Sequence, residues 1–243
     1  MDWTKAKTIL IVALLLTNLF LVFTYAFNKA EDQADKEEVL LSVLQKNNIE
    51  LKTEIPQKPG KLPVLSVEYS GTQNSAMEST LREREFVLEG NMVREEELIR
   101  VADMFLAESG MTGDNILLDK VELKQGIWMV SYKNQVEDIS VEESYIRCYF
   151  KNGALYFAES YWLEPKSFSQ KKRDVISASE ALVIFMSQLP TKEEKIIIEA
   201  IELVYWLDSA SFNGERWVTD TALPAWKIMY NGDQKKHIYA YDQ

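Results

Sequence analysis

The side chains best suited to catalysis are few in this sequence. A nucleophile–base pair or a zinc site would have to use the single histidine, His237, and the single cysteine, Cys148, which lie far apart in the chain. Carboxylate pairs such as Glu142-Glu143 could serve glycoside hydrolysis. With 38 acidic residues, however, adjacent pairs are common and predict a solvated surface. The nine glycines fall singly and form no phosphate-binding loop. The sequence therefore predicts a protein that is not an enzyme, with no catalytic, metal-binding or cofactor-binding residues.

A different kind of chemistry is suggested by two polar residues, Thr17 and Asn18, inside the apolar segment 8–27. This segment carries no charge, and at about 1.5 Å per helical residue it spans roughly 30 Å, the thickness of a bilayer's hydrocarbon core. An amide in lipid is costly unless it finds a hydrogen-bonding partner. We therefore predict that Thr17 and Asn18 bind a partner helix. The alternatives are that Asn18 self-associates in a homodimer or is merely tolerated.

The flanks of the apolar segment predict its orientation. Lys5 and Lys7 precede the segment and acidic residues follow it, which favours a cytoplasmic N-terminus and an extracytoplasmic remainder. A cleaved signal peptide is the alternative, but its apolar region is shorter, about 7–15 residues. We predict a single-pass protein of the cell membrane with a cytoplasmic N-terminus at 1–7, a transmembrane helix at 8–27 and a linker at 28–34.

The composition of the chain argues against some classes of partner. The formal net charge is −11, and such a surface repels nucleic acid and anionic lipid headgroups. The single cysteine permits no intramolecular disulfide. Exported proteins of many bacteria lack disulfides. Hydrophobic residues make up 47% of the chain, enough for one or two packed cores.

Helices alternate with groups of strands after residue 34. Helical spacing of apolar residues occurs at 35–48 and at 94–110, where Leu98, Val101, Ala102 and Phe105 form the predicted buried stripe. Residues 71–79 are polar and predict a flexible loop, whereas 84–90 reads as a strand. The strongest local signals are a hairpin turn at Asn152-Gly153 and a capping box of Ser177 with Glu180.

The last third of the chain repeats a sequence pattern of the middle third. Phe105 precedes Val121 of "VEL" by sixteen residues, and Phe185 precedes Ile201 of "IEL" by the same number. Both stretches continue into a Trp-x-aliphatic-x-Tyr strand, at 128–132 and 226–230. We predict an α+β fold of repeated helix-on-antiparallel-sheet units after the transmembrane helix. The predicted lobes are 35–168, with units at 35–93 and 94–168, and 171–243.

The N-terminus then supports a family resemblance. Met1-Asp2-Trp3, the lysines at 5 and 7 with Thr8-Ile9, and Asn18 ahead of "LFLV" resemble the YycI (WalI) family. The first 23 residues carry most of this resemblance. An exported α+β portion of similar length agrees with it in layout.

The resemblance implies a regulatory role without catalysis. Members of that family are membrane-anchored in Gram-positive bacteria. They modulate the WalK (YycG) sensor histidine kinase of a two-component system that controls cell-wall metabolism. They contact the kinase within the membrane and act with a second single-span protein, YycH. The expected partners are therefore a WalK-type kinase and a YycH-type regulator.

A competing interpretation is a membrane-tethered binding or inhibitor module. Units of a helix followed by a hairpin are similar to PepSY domains of exported proteins. In that case the exported part would act alone, and the apolar segment would serve only as a tether.

Overall fold

The computed structural model describes residues 11, 14, 16–20, 37–69, 71–89, 93–189, 195–207 and 219–241. From residue 37 onward these residues form four helical segments and ten strands. In chain order they are α1 (37–46), β1 (Ile49–Leu51), β2 (Leu65–Tyr69), α2 (Thr72–Glu83), α3 (Glu95–Glu108), β3 (Ile116–Lys124), β4 (Ile127–Val136), β5 (Ile139–Lys151), β6 (Ala154–Tyr161), β7 (Leu163–Phe168), α4 (Ala178–Ser187), β8 (Ile196–Trp206), β9 (Thr219–Tyr230) and β10 (Gln234–Tyr239).

All ten strands belong to one mixed sheet, and helices pack on one of its faces. The central order is β3-β4-β5-β8-β9-β2-β7, with β6 beside β5, β10 beside β9 and β1 beside β8. Most pairs are antiparallel, but β5 and β1 each pair with β8 in parallel. Hairpins are local, whereas these parallel pairs join segments that are distant in the chain.

The first core lies between helices α2 and α3 and strands β3–β6. Leu98, Val101, Ala102 and Phe105 of α3 are fully buried, which confirms the predicted stripe. Gly110 ends this helix at φ +75°, where a left-handed backbone suits glycine. Its N–H donates to Ala107 O, and Met111 N–H donates to Leu106 O, the two hydrogen bonds of a Schellman motif.

The second core contains elements from both ends of the described chain. Leu40 and Leu44 of α1 and Ile49 of β1 pack with α4, β8, β9 and β10. The capping box of Ser177 and Glu180 is confirmed at the start of α4. Residues 37–51 pack in this core with the C-terminal strands, and Ile55 and Leu62 pack against it as well. The parallel pairing of β1 with β8 places β1 there.

A third, smaller cluster connects the two cores. Five strands, β2, β5, β7, β8 and β9, each supply at least one of its buried side chains: Leu65, Val67, Val141, Leu163, Tyr205 and Ala222. The 13-residue strand β5 makes this connection because it changes neighbour along its length. Its Ser140 and Val141 pair with β8, whereas its later residues pair with β6.

The repeated sequence pattern has a structural counterpart. In the β3–β4 hairpin Val121 pairs with Val130 and Leu123 with Trp128. In the antiparallel pair β8–β9, Ile201 pairs with Ile228 and Leu203 with Trp226. The two segments therefore share the same strand register behind their respective helices.

The fold-class prediction nevertheless needs correction. The units are not separate helix-on-antiparallel-sheet layers, since their strands merge into one mixed sheet through β5 and β8. The predicted single N-terminal transmembrane helix is also corrected: no helix among the described residues is long and apolar enough to cross a membrane. The predicted segments 1–7 and 28–34, and all of 8–27 except 11, 14 and 16–20, lie outside the described residues.

Two local predictions were also wrong. The polar stretch 71–79 begins helix α2 instead of a loop, because Met77 is buried in the first core and Asn74 bonds the backbone of β6. Among its described residues, 84–89, the predicted strand 84–90 makes one isolated bridge, from Val87 to Ala154. Tertiary contacts override local propensity at both places.

Phe105 and Phe185 hold equivalent places in the two cores, which yields a stability prediction. Each ring is buried, and each meets an aromatic ring edge-on, Phe86 at 5.2 Å and Tyr230 at 5.1 Å. Phe105→Ala and Phe185→Ala should each lower the free energy of unfolding by about 3–5 kcal/mol, the range for a large buried ring. Urea unfolding followed by circular dichroism measures this. A loss of less than about 1 kcal/mol at either position contradicts the assigned packing.

Candidate functional site

The two residues predicted from the sequence lie on an exposed helical segment. Thr17 and Asn18 are helical and exposed, as are Leu16, Leu19 and Phe20 beside them. Leu19 and Phe20 retain 71% and 66% of their exposure, which is high for large apolar side chains. Partner binding by Thr17 and Asn18 stays a prediction, and the segment is open to contact.

A second candidate surface depends on an irregularity in β5. Lys133 of β4 pairs with Tyr145, but the next residue, Asn134, pairs with Val141, so residues 142–144 have no counterpart on β4. Glu143 adopts φ +64°, a left-handed backbone that few side chains take. We call residues 142–144 the β5 bulge. The bulge bends the strand, so its side chains point in other directions than they would in a regularly paired strand.

The β5 bulge is held by a buried amide. Asn134 is fully buried, and its Nδ2 donates to Leu163 O at 2.7 Å and to Ser144 Oγ at 3.2 Å. Ser144 Oγ accepts from Leu163 N–H at 3.0 Å, and Asn115 Nδ2 donates to Asn134 Oδ1. These bonds satisfy polar groups that burial would otherwise penalise. They tie β4, the bulge and the start of β7 together.

The bulge places Glu142 across β8, in contact with β9 and β10. Its carboxylate lies 3.2 Å from Lys227 Nζ, 2.9 Å from Lys235 Nζ and 3.5 Å from His237 Nε2. Only 9% of the Glu142 side chain is exposed, and only 19% of Lys227. His237 in turn stacks on Trp206, with 4.7 Å between ring centroids. We call these residues the junction charge cluster.

Two opposing effects act on the pKa of Glu142. Burial alone would raise the pKa, because it disfavours the charged carboxylate. The contact with His237 and the two lysine ammonium groups outweigh burial and hold the pKa well below its usual value of 4.5. Glu142 is therefore ionised over the physiological range and bridges two parts of the sheet.

Beside this cluster, aromatic rings cross the face of the sheet opposite the first core. They are Tyr69, Tyr145, Tyr149, Phe157 and Tyr161, which we call the aromatic row. Ring centroids lie 5.0 Å apart for Tyr69 and Tyr161, 6.5 Å for Tyr145 and Tyr161, and 5.6 Å for Tyr149 and Phe157. Tyr69, Phe157 and Tyr161 are 38%, 47% and 39% exposed, so the row is open to solvent.

One arginine orders the middle of the aromatic row. The Arg147 guanidinium lies 3.9 Å from the Tyr145 ring centroid, a cation–π distance, and 3.2 Å from Glu159. Tyr149 donates from its hydroxyl to the same Glu159 oxygen at 2.9 Å. Because their partners restrain these side chains, they lose little additional freedom when another surface packs on them.

The aromatic row and the junction charge cluster border one cleft. Its volume is about 710 Å³. Tyr145, Arg147 and Tyr161 line one side, whereas Lys227 and Lys235 line the other. The cleft is thus polar and aromatic, and it lies where the β5 bulge joins the two halves of the sheet.

The expectation for Glu142 fails. Glu142 is not solvated surface, because the bulge turns it inward onto Lys227. Trp162, Trp226 and Tyr205 are buried, whereas three rings of the aromatic row, Tyr69, Phe157 and Tyr161, are exposed. The alternation of Tyr145, Arg147 and Tyr149 in the sequence indicates that they share one surface, because residues two apart lie on the same face of a strand.

The remaining candidate residues show no reactive environment. Cys148 is completely buried, and burial raises the pKa of its thiol far above the usual range, which keeps it protonated. Within the described ranges, no three His, Cys, Asp or Glu side chains come together in a way that could hold a metal ion.

Comparison with known proteins assigns no class to this chain. No known protein family matches the chain, and no curated protein matches it significantly. The YycI resemblance therefore rests on the N-terminal residues named above and stays a prediction.

The junction charge cluster predicts a pH-dependent stability. Glu142→Gln should lower the free energy of unfolding at about pH 7 by about 1.5–3 kcal/mol, the usual worth of hydrogen bonds to charged groups. The folded-state pKa of Glu142 is depressed, so its contribution is fully present above the unfolded-state value of 4.5 and is lost progressively as pH falls from there through the folded-state pKa. The two proteins should therefore converge at low pH in urea unfolding experiments.

Glu143→Gln is the matched control. Glu143 is 48% exposed and contacts only Lys235 among the described lysines, so its loss should cost about 0–1 kcal/mol. Equal effects of the two substitutions, or a Glu142→Gln difference that does not shrink with falling pH, would contradict the assigned role.

Proposed function

We propose that this protein is a non-catalytic regulator of a two-component signalling system, acting on a WalK-type sensor histidine kinase together with a YycH-type partner. The observation that carries the proposal is the exposed aromatic row with its central arginine. Tyrosine and arginine are the residue types enriched where protein interfaces derive most of their affinity. The N-terminal resemblance to the YycI family supplies the identity of the partners.

The proposal assigns one partner to each of two surfaces. The exposed helical residues around Asn18 contact the kinase, and the aromatic row with its cleft receives the YycH-type partner. The two surfaces lie on different parts of the chain, so each can be changed without touching the other. We further propose that the protein is located at the cell membrane, with the sheet on the extracytoplasmic side.

The location is testable directly. Protease added to intact cells should digest the part after residue 37, as detected by an antibody against the C-terminal residues. Digestion only after lysis would overturn the proposed location.

Asn18→Leu tests the contact with the kinase. The change removes the polar group and keeps an apolar side chain, so it should weaken the complex by about 0.5–1.5 kcal/mol, the usual net worth of a hydrogen bond. Co-purification of the kinase from membranes and the phosphorylation level of its response regulator measure this. Leu16→Ala, on another side of the same helical segment, is the control. Unchanged kinase recovery and unchanged output with Asn18→Leu would contradict the role of Asn18.

Tyr161→Ala tests the contact with the YycH-type partner. Tyr161 meets both Tyr69 and Tyr145, so its removal should cost at least about 2 kcal/mol of binding free energy, roughly 30-fold in Kd. Titration of the purified partner measures the effect. Tyr156→Ala is the matched control, because Tyr156 is 50% exposed on the same strand but outside the row. Equal binding by both variants would contradict this assignment.

The competing function, a tethered PepSY-like binding module, makes a different prediction for the N-terminus. Replacing 8–27 by an unrelated polyleucine-like segment should abolish regulation if the proposed function is correct. Full regulation by the replaced protein would favour the binding module.

A further inference from the structure

Strand β3 stands at one end of the strand order. Within the described part of the chain, it pairs with β4 alone. The strand and its neighbours in the chain fall in 93–189, which the structure describes without a gap. Strand β8, to which 190–194 and 208–218 are nearest in the chain, is three strands away in the sheet. The outer backbone groups of such a strand can pair with a further strand.

Apolar side chains lie on the helix-covered face of β3. Leu118, Val121 and Leu123 pair with alternate residues of β4 that belong to the first core or pack against it. Val121 packs against this core, but Leu118 and Leu123 remain 42% and 53% exposed. Exposed apolar side chains on a terminal strand favour association with another strand.

The opposite face of β3 carries both signs of charge. Lys120 Nζ lies 2.9 Å from the Glu122 carboxylate, and Lys124 Nζ lies 3.1 Å from the same carboxylate. A strand with charges of only one sign would meet like charges here. This face therefore favours a strand that carries the same alternation of lysine and glutamate.

An irregularity at Asp119 restricts the register of such a strand. Leu118 pairs with Tyr132 and Lys120 pairs with Ser131, so β4 skips Asp119. The residues before and after Asp119 keep to their faces of the sheet only if a new neighbour skips Asp119 as well.

A second copy of β3 satisfies these requirements. We place it antiparallel to the first, with a two-fold axis at Val121 and with Asp119 skipped. Lys120 of each copy then faces Glu122 of the other, and Leu118 faces Leu123. The two most exposed apolar side chains of the strand thus cover each other. Each of these contacts occurs twice, because a two-fold interface uses the same patch on both copies.

We propose that two copies of this chain associate through β3, in the register centred on Val121, and form one continuous sheet with ten strands from each copy. Strand β3 has nine residues, fewer than the roughly 20–30 residues on each side of a stable interface. We therefore expect a reversible dimer with a Kd of about 10–100 μM. This inference does not depend on the proposed regulation of a kinase, because it is tested with the purified chain alone.

Single added cysteines in the full chain, kept in detergent because of its apolar segment 8–27, test the register. Cys148 is the only natural cysteine and is fully buried, so the added residue supplies the reactive thiol. Val121→Cys places its two copies at the axis, where neighbouring strands have the Cα separation of about 4.4–6.8 Å that a disulfide needs. This variant should form a covalent dimer under mild oxidation, as measured by non-reducing gel electrophoresis.

Lys124→Cys is the matched control. Lys124 lies three residues from the axis, so its two copies would be about six residues, or roughly 20 Å, apart. Its side chain is 77% exposed and is therefore more accessible than Val121 to random collisions. If the register is correct, Lys124→Cys should nevertheless cross-link at least about tenfold more slowly than Val121→Cys, because its thiols cannot meet within the dimer.

Charge reversal tests the contact between the copies. Lys120→Glu places two carboxylates opposite each other at two symmetric positions, so the Kd should rise at least about tenfold. Adding Glu122→Lys to this variant restores opposite charges and should return the Kd to within about threefold of the wild-type value. Sedimentation equilibrium measures the Kd, and circular dichroism verifies that each variant is folded.

Three results would overturn the proposal. The first is a chain that stays monomeric up to about 1 mM, the weak limit of a specific complex. The second is a dimer that Lys120→Glu does not weaken or that the double variant does not restore, since this would place the association elsewhere, for example at 8–27. The third is cross-linking of Lys124→Cys as fast as that of Val121→Cys, which would indicate random collision or another register.

Discussion

The β5 bulge is the feature on which the rest of the molecule depends. Three residues without partners on β4 allow one strand to pair with β8 at its start and with β6 over the rest of its length. The buried amide of Asn134 stabilises this departure from regular pairing by satisfying backbone and side-chain groups of two neighbouring segments. A regular β5 would run past β8, and the two cores would lack their common third cluster.

The same bulge links packing to surface chemistry. It turns Glu142 toward lysines that come from β9 and β10, so the ion pairs cross the line where the halves of the sheet meet. It also leaves Tyr145 and Arg147 at the border of the cleft, next to Tyr161. Charged contacts on one side and aromatic contacts on the other thus depend on one local deviation. A substitution that regularised β5 would disturb stability and the candidate binding surface together.

The sequence predicts some features of this fold much better than others. Local signals succeeded: the stripe of α3 follows from helical periodicity, and the turn at Asn152-Gly153 and the cap at Ser177 follow from residue chemistry. Helix α2 was missed because its sequence is polar, and it is stabilised by Met77 and Asn74 through contacts that are distant in the chain.

The candidate site was harder to predict for the same reason. Glu142 is one of 38 acidic residues, and nothing next to it in the sequence distinguishes it from a solvated carboxylate. Only the pairing of β5 with β8 brings Lys227 within reach. The merging of the strands into one sheet depends on that parallel contact as well. Periodicity reports which residues share a face of one strand, but not which strands become neighbours.

The parallel pairing of β1 with β8 has a consequence for folding during synthesis. Ile49 finds its partner Ile196 only after most of the chain has emerged, so the second core has to wait for its last strands. Until then α1 has no apolar surface on which to dock. A chain truncated within β8 would therefore leave α1 unpacked, although α1 lies far from the truncation in the sequence. Only a chain that contains β8, β9 and β10 can hold α1 in a fixed orientation, so the emergence of these strands determines when α1 joins the second core.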